Sequence, residues 1–184
     1  MIPPLPTLTD ALAPISEALD ALSSDERVNW TRGLGRGQIK ALYALAGEGG
    51  PLDIDWFAGE DGQIIVHEGQ NSLPAHTVFQ KRFVRWQGRV QGYNHQSWSG
   101  LTGPGHFLVR MDGPDVVIDY NGLPDSAPDV FPKLVPNEKG VSRFVYGYTI
   151  DRMRRVSRDC TVGAAEKNGK RLGAYFVLTR IGPA

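Results

Sequence analysis

CTVGAAEKNGKRLGAYFVLT, residues 160–179, decides how this chain folds. Asn168-Gly169 sits at its middle, flanked by runs rich in Val, Thr, Phe and Leu. A type I′ turn needs positive φ at both central positions, and Asn-Gly supplies it most readily, so a tight β-hairpin is predicted. With Lys167 opposite Lys170, Val162 faces Tyr175, Cys160 faces Val177 and Val156 faces Ile181. Alternation then puts these six on one face. The other face carries Ser157, Asp159, Thr161, Phe176, Leu178 and Arg180. The first face is the more apolar and is the expected core face. Arg158 interrupts it beside Thr179, and an arginine there needs a carboxylate or a ligand as partner.

Upstream, from Pro51, the same signal recurs. Runs of Val, Ile, Phe, Tyr and Thr, bounded by Gly, Asp, Asn and Pro, predict strands near 63–67, 77–86, 89–98, 106–111, 115–120, 142–150, 153–165 and 171–181. Short connections make neighbouring strands antiparallel, and no helical pattern separates them. The stretch 121–141 differs. Pro124, Pro128, Pro132 and Pro136 exclude a central strand, leaving a long loop that crosses one end of the sheet or serves as a binding segment.

The first fifty or so residues read as helical. Leu8, Leu12, Ile15, Leu19 and Leu22 recur at helical spacing. Ser23 with Glu26 forms a capping box for a second helix. Ile39, Leu42, Tyr43 and Ala46 mark a third, ended by Gly47–Gly50. The expected fold is therefore mainly β: about eight antiparallel strands in a closed barrel or strongly curved sheet, behind two or three short helices, as one domain over 1–184. This architecture is similar to calycin-type barrels, the lipocalins and fatty-acid-binding proteins. Asp55-Trp56-Phe57 stands where lipocalins carry Gly-x-Trp, and the last strand lacks the Arg-x-Tyr clamp, so the likeness is of architecture. An α+β sheet with helices on one face is the alternative.

Lys plus Arg equals Asp plus Glu, at 20 each, which argues against nucleic-acid binding through phosphate charge. Cys160 is the single cysteine, so no internal disulfide or cysteine zinc site is available, and its mid-strand place suits inert packing. The four histidines, His67, His76, His95 and His106, show no ligand-pair spacing, and no metal is expected. The start, Met-Ile-Pro-Pro-Leu-Pro, has no secretory pattern and no apolar run is long enough to span a bilayer, so a cytoplasmic protein without a membrane span is expected. No motif names a cofactor.

Arg89–Trp98 carries polar groups on both alternating faces with aromatics among them. That mixture suits a polar pocket, an exposed strand or an oligomer interface. The leading expectation is a small apolar or amphipathic ligand, with Arg89, Tyr93 and His95 as polar contacts. Trp86, Trp98, Tyr146 and Tyr148 would form its wall, with Arg158 as a further contact. A competing reading is an enzyme in which His95 or His106 is the general base and Asp119, across a hairpin at Asp112-Gly113, orients it. Pro114 should disturb that turn. A third reading is an interaction module, which could pair as a homodimer. The basic runs Lys81–Trp86 and Arg152–Arg155 read as solvated strand faces answered by loop aspartates.

Overall fold

The Asn168-Gly169 turn forms with φ of +51° and +74°, and Lys167 faces Lys170. It joins β7 (Cys160–Lys167) to β8 (Lys170–Pro183). Further along, Val162 faces Val177 and Cys160 faces Thr179, so the expected pairing does not continue. A bulge between Ala164 and Glu166, with Gly173 at φ +68°, absorbs the extra residues. Because the slip is even, each side chain keeps its face.

The structure is a computed structural model that describes residues 8, 11–48, 50–73, 77–95, 103–137 and 147–184. β7 and β8 complete a closed antiparallel barrel with β1 (Ile64–Asn71), β2 (Val78–Trp86), β3 (Arg89–His95), β4 (His106–Asp112), β5 (Asp115–Asp119) and β6 (Thr149–Arg155). Each strand pairs with the next in sequence, and β1 closes on β8. Closure gives every described strand a neighbour on both sides, the β3–β4 seam being the shortest. The segment expected as one strand over 153–165 is two. Val156 and Ser157 donate N–H to the Cys160 carbonyl at 2.9 and 3.1 Å, which folds the chain back between β6 and β7. Val156 therefore does not face Ile181, and Arg158 lies on an exposed turn rather than on a core face.

The barrel interior is filled by aromatics. Phe79, Phe107 and Phe176 stand directly across from Gly69, Gly92 and Gly163 on neighbouring strands. Each ring lies over its glycine, where a Cβ would come within 2.5, 2.6 and 2.3 Å of it. Phe83 packs between Phe107 and Phe57 at 5.1 Å from each. Phe57 belongs to a short 3-10 turn, Ile54–Phe57, that plugs one barrel end.

Three helices, α1 (Leu12–Ala21), α2 (Ser24–Arg32) and α3 (Arg36–Leu45), lie on the barrel wall. The Ser23–Glu26 box caps α2 as expected, with Glu26 accepting the Ser23 N–H at 2.9 Å. Ile15, Leu19, Trp30, Ile39 and Leu42 pack on Val156, Cys160, Val162 and Val177. Four residues of the apolar hairpin face are thus buried, but outside the barrel, while Tyr175 is half-buried and Ile181 is exposed. Phe176 and Leu178 on its opposite face join the interior, so both faces are core. The buried arginine is Arg27, not Arg158. Its guanidinium donates to the Leu19 and Leu22 carbonyls and, at 2.8 Å, to Asp159, tying α1 and α2 to the β6–β7 turn.

Of the proline-rich loop, residues 121–137 are described, and they run along the outside of the barrel. β5 and β6 are neighbours, and the loop covers the outer wall of β2 to β4. Phe131 packs on Tyr93 at 4.8 Å, Ser126 accepts from Trp86 and Gln91, and Asn137 donates to the His106 and Tyr120 carbonyls.

Candidate functional site

The residues expected around one pocket are distributed over the barrel. Trp86 and Arg89 flank the Gln87-Gly88 turn, where Arg89 pairs with Asp125 at 2.9 Å. Tyr93 points outward and is buried under Phe131. His95 is exposed at the far end of β3, and burial with the Arg82 charge lowers its pKa. Tyr148 is exposed at the same barrel end, with φ +63°. Arg158 reaches the Asp20 carbonyl and Asp159. Trp98 and Tyr146 lie outside the described residues.

His106 and Asp119 do not meet. The β4–β5 turn closes with Asp112 opposite Asp115, so Asp119 faces Leu108. Gly113, at φ +63°, and Pro114 are the central pair. A proline at the second central position of a type II′ turn keeps its fixed φ, and its absent N–H is not the one that closes the turn. Asp119 accepts from Arg110 Nε at 2.7 Å and from Asn121. The His106 ring donates Nε2–H to the Lys133 carbonyl at 3.1 Å, and burial lowers its pKa. The mixed polarity of β3 also has a structural cause. Its stretch from Val90 to Asn94 is buried, facing the interior on one side and the loop on the other.

Alternation places Phe79, Lys81 and Phe83 on one face of β2, and that face is the interior. Lys81 is buried at 3% exposure. Its ammonium donates to Asn94 Oδ1 at 2.8 Å and to the Tyr120 hydroxyl, and meets Asp151 Oδ2 at 3.3 Å. The rings of Phe79, Phe107, Tyr120 and Phe176 surround it at 5.0–5.6 Å. Burial lowers the Lys81 pKa against the pull of Asp151, and raises that of Asp151 against the pull of Lys81. All three ammonium donors are engaged, so the group has no spare capacity for a ligand. This network was missed in the sequence because Lys81 sits within a basic run. The flanking Phe79 and Phe83 at period two were the available signal.

The concavity lies elsewhere. The β3–β4 ladder holds Tyr93–His106, Gly92–Phe107 and Gln91–Leu108, and then ends. Beyond it, Arg89 and Val90 part from Val109–Met111, and the 53–55 segment lies across the gap. The result is an open groove of about 530 Å³. Ile54, Val90, Val109 and Met111 give it an apolar floor, and Arg85, Arg89 and Arg110 a guanidinium rim. Arg85 is held by Asp55 at 2.7 Å and Arg110 by Asp119 at 2.7 Å. Met111 remains 46% exposed. Of the expected site residues, Arg89 lines this groove, and with Trp86 it also lines a smaller hollow beside Ser126.

Among the described residues no cluster of three or more His, Cys, Asp and Glu side chains could hold a metal ion. Cys160 is buried beside Thr179, and burial pushes its thiol pKa up to about 11, far from nucleophilic use. No described helix is long and apolar enough to cross a membrane. No protein-family model, curated protein or solved structure matches the chain.

Proposed function

We propose that the protein binds a small amphipathic molecule in the groove between β3 and β4. The observation that carries this is the groove itself: about 530 Å³ with an apolar floor and an arginine rim. Small-molecule sites run from about 300 to 1,000 Å³ and combine apolar walls with a few placed polar groups. An eight-stranded barrel can hold one ligand inside or be filled by its own side chains. Here Phe79, Phe83, Phe107 and Phe176 take the interior, which moves the binding role to the wall. The favoured ligand has an apolar body on Val109 and Met111 and an acidic head toward Arg85, Arg89 and Arg110. That head competes with Asp55 and Asp125, the exposed partners of two of the arginines. The enzyme reading lacks the His106–Asp119 contact on which it rested.

The test is fluorescence titration with anilinonaphthalene sulfonate, an apolar anion. One saturable site per chain is expected, weakened by about tenfold or more in Met111→Asp. Val130→Asp, at an exposed loop position, should leave it unchanged. Binding that is non-saturable, or equal in Met111→Asp and wild type, overturns the assignment.

A further inference from the structure

A second hollow, of about 300 Å³, opens between the 50–52 segment and the ends of β5 and β6. Arg154 and Arg155 line it together with Gly47, Leu52, Val116 and Met153. Successive strand residues point to opposite faces, yet the last three of β6, Met153 to Arg155, all line the hollow. Arg85, Arg89, Arg110 and Arg152 each lie within salt-bridge distance of a carboxylate. Among the described residues, Arg154 and Arg155 have no carboxylate at that distance. Asp115, the acidic residue of the lining, is held by Arg152 Nη1 at 2.8 Å.

Arg154 is nevertheless positioned. It donates to the Tyr43 carbonyl at 2.7 Å and lies over the Tyr43 ring at 4.1 Å. A Cβ on Gly47 would stand 2.7 Å from its Nη1, so the glycine lets the backbone approach the guanidinium. Neither contact offsets its charge with an anion. The Arg155 Nε is buried and has no acceptor among the described residues. An unpaired buried donor is unfavourable, more so when it belongs to a charged group, and an incoming anion would satisfy it.

We infer that this hollow is a binding site for a small oxyanion, the phosphate or carboxylate group of a small molecule, held by Arg154 and Arg155. A guanidinium presents its donors in a planar fork that suits two oxygens at once.

The test titrates the folded, isotope-labelled chain with sodium phosphate, and separately with sodium acetate, against sodium chloride of equal ionic strength. Saturable amide shifts confined to Gly47, Val116 and Met153–Arg155 are expected with at least one oxyanion and not with chloride. Phosphate alone assigns a phosphate group, and acetate as well assigns carboxylates too. Arg155→Gln should weaken binding by about tenfold or more, Arg155→Lys by less because charge remains without the fork. Arg36→Gln, at an exposed helix position outside the hollow, should not change it. If no oxyanion gives saturable shifts there, or if a folded Arg155→Gln binds as wild type does, the inference fails. Should Arg155→Gln not fold, the wild-type shift map decides alone.

Discussion

His67 lies inside the barrel with no solvent exposure, 4.6 Å from the Phe83 ring and 5.0 Å from Trp56. Its Nε2–H donates to the Phe57 carbonyl at 3.1 Å, and Nδ1 has no partner among the described residues, a pattern suited to neutral imidazole. Burial lowers its pKa to about 3, the Phe57 carbonyl opposing and the Arg180 charge assisting. In the unfolded chain a histidine takes up its proton below about pH 6.5. Between that pH and about 3 the unfolded state binds the extra proton, so stability is complete above the window and falls as pH falls through it. The slope from this one group is at most about 1.4 kcal/mol per pH unit. His67→Gln keeps a donor for Phe57 and has no proton to gain. Comparing urea midpoints at about pH 7 and about pH 5 should show a clearly smaller acid loss in His67→Gln. An equal loss in both proteins would place the acid sensitivity elsewhere. His106 and His95, whose pKa values are also lowered, leave a residual slope of the same sign.

Between neighbouring strands, the glycine–phenylalanine pairs determine how the barrel is filled, and they differ in what blocks a side chain. At Gly163 an added Cβ meets Phe176 at 2.3 Å and the Met153 sulfur at 2.8 Å, both side chains. At Gly92 it meets the Arg82 carbonyl oxygen at 2.2 Å as well as the Phe107 ring at 2.6 Å. Side chains can repack at about 1–3 kcal/mol, whereas backbone must move the sheet. Gly163→Ala should therefore be largely rescued by Phe176→Leu, while Phe107→Leu should fail to rescue Gly92→Ala. Thermal melts of the two pairs check this, and equal rescue would remove the distinction. These pairs also show what was legible in the sequence. Antiparallel order and the Asn168-Gly169 turn follow from local signals: turn residues and period-two runs. The capping box at Ser23 and Glu26 is equally local. The β6–β7 turn at 156–159 was not legible, because Val-Ser-Arg-Asp lacks glycine or proline. Nor was the double burial of β7 and β8, since alternation shows one apolar face and cannot reveal that helices cover that face while the other turns into the barrel. The candidate groove arises where the β3–β4 ladder stops, a matter of how two strands diverge. Only Arg89 among the expected site residues marked it.

Across the whole molecule, the Lys81 network acts as a chord through the barrel. It joins β2, β3, the end of β5 and β6 by Lys81, Asn94, Tyr120 and Asp151. Such a connection fixes which strands stand opposite one another in a way that interchangeable apolar contacts do not. It also carries a penalty, since both charges leave water. The two effects separate by substitution. Lys81→Met leaves the Asp151 carboxylate buried without its cation, and should lower stability by about 3–5 kcal/mol. Asp151→Leu strands the ammonium and should cost a similar amount. The double variant removes both charges, so its loss should be well below the sum of the singles, a coupling of about 1–3 kcal/mol or more. Urea denaturation of the four proteins closes the cycle. The slope of unfolding free energy against urea is its second reading: a lower slope in the double variant alone means the barrel has lost compactness or its two-state transition, which assigns the pair to specificity. Single variants within about 0.5 kcal/mol of wild type would instead mean that Lys81 and Asp151 are hydrated in solution, and that this end of the barrel admits water.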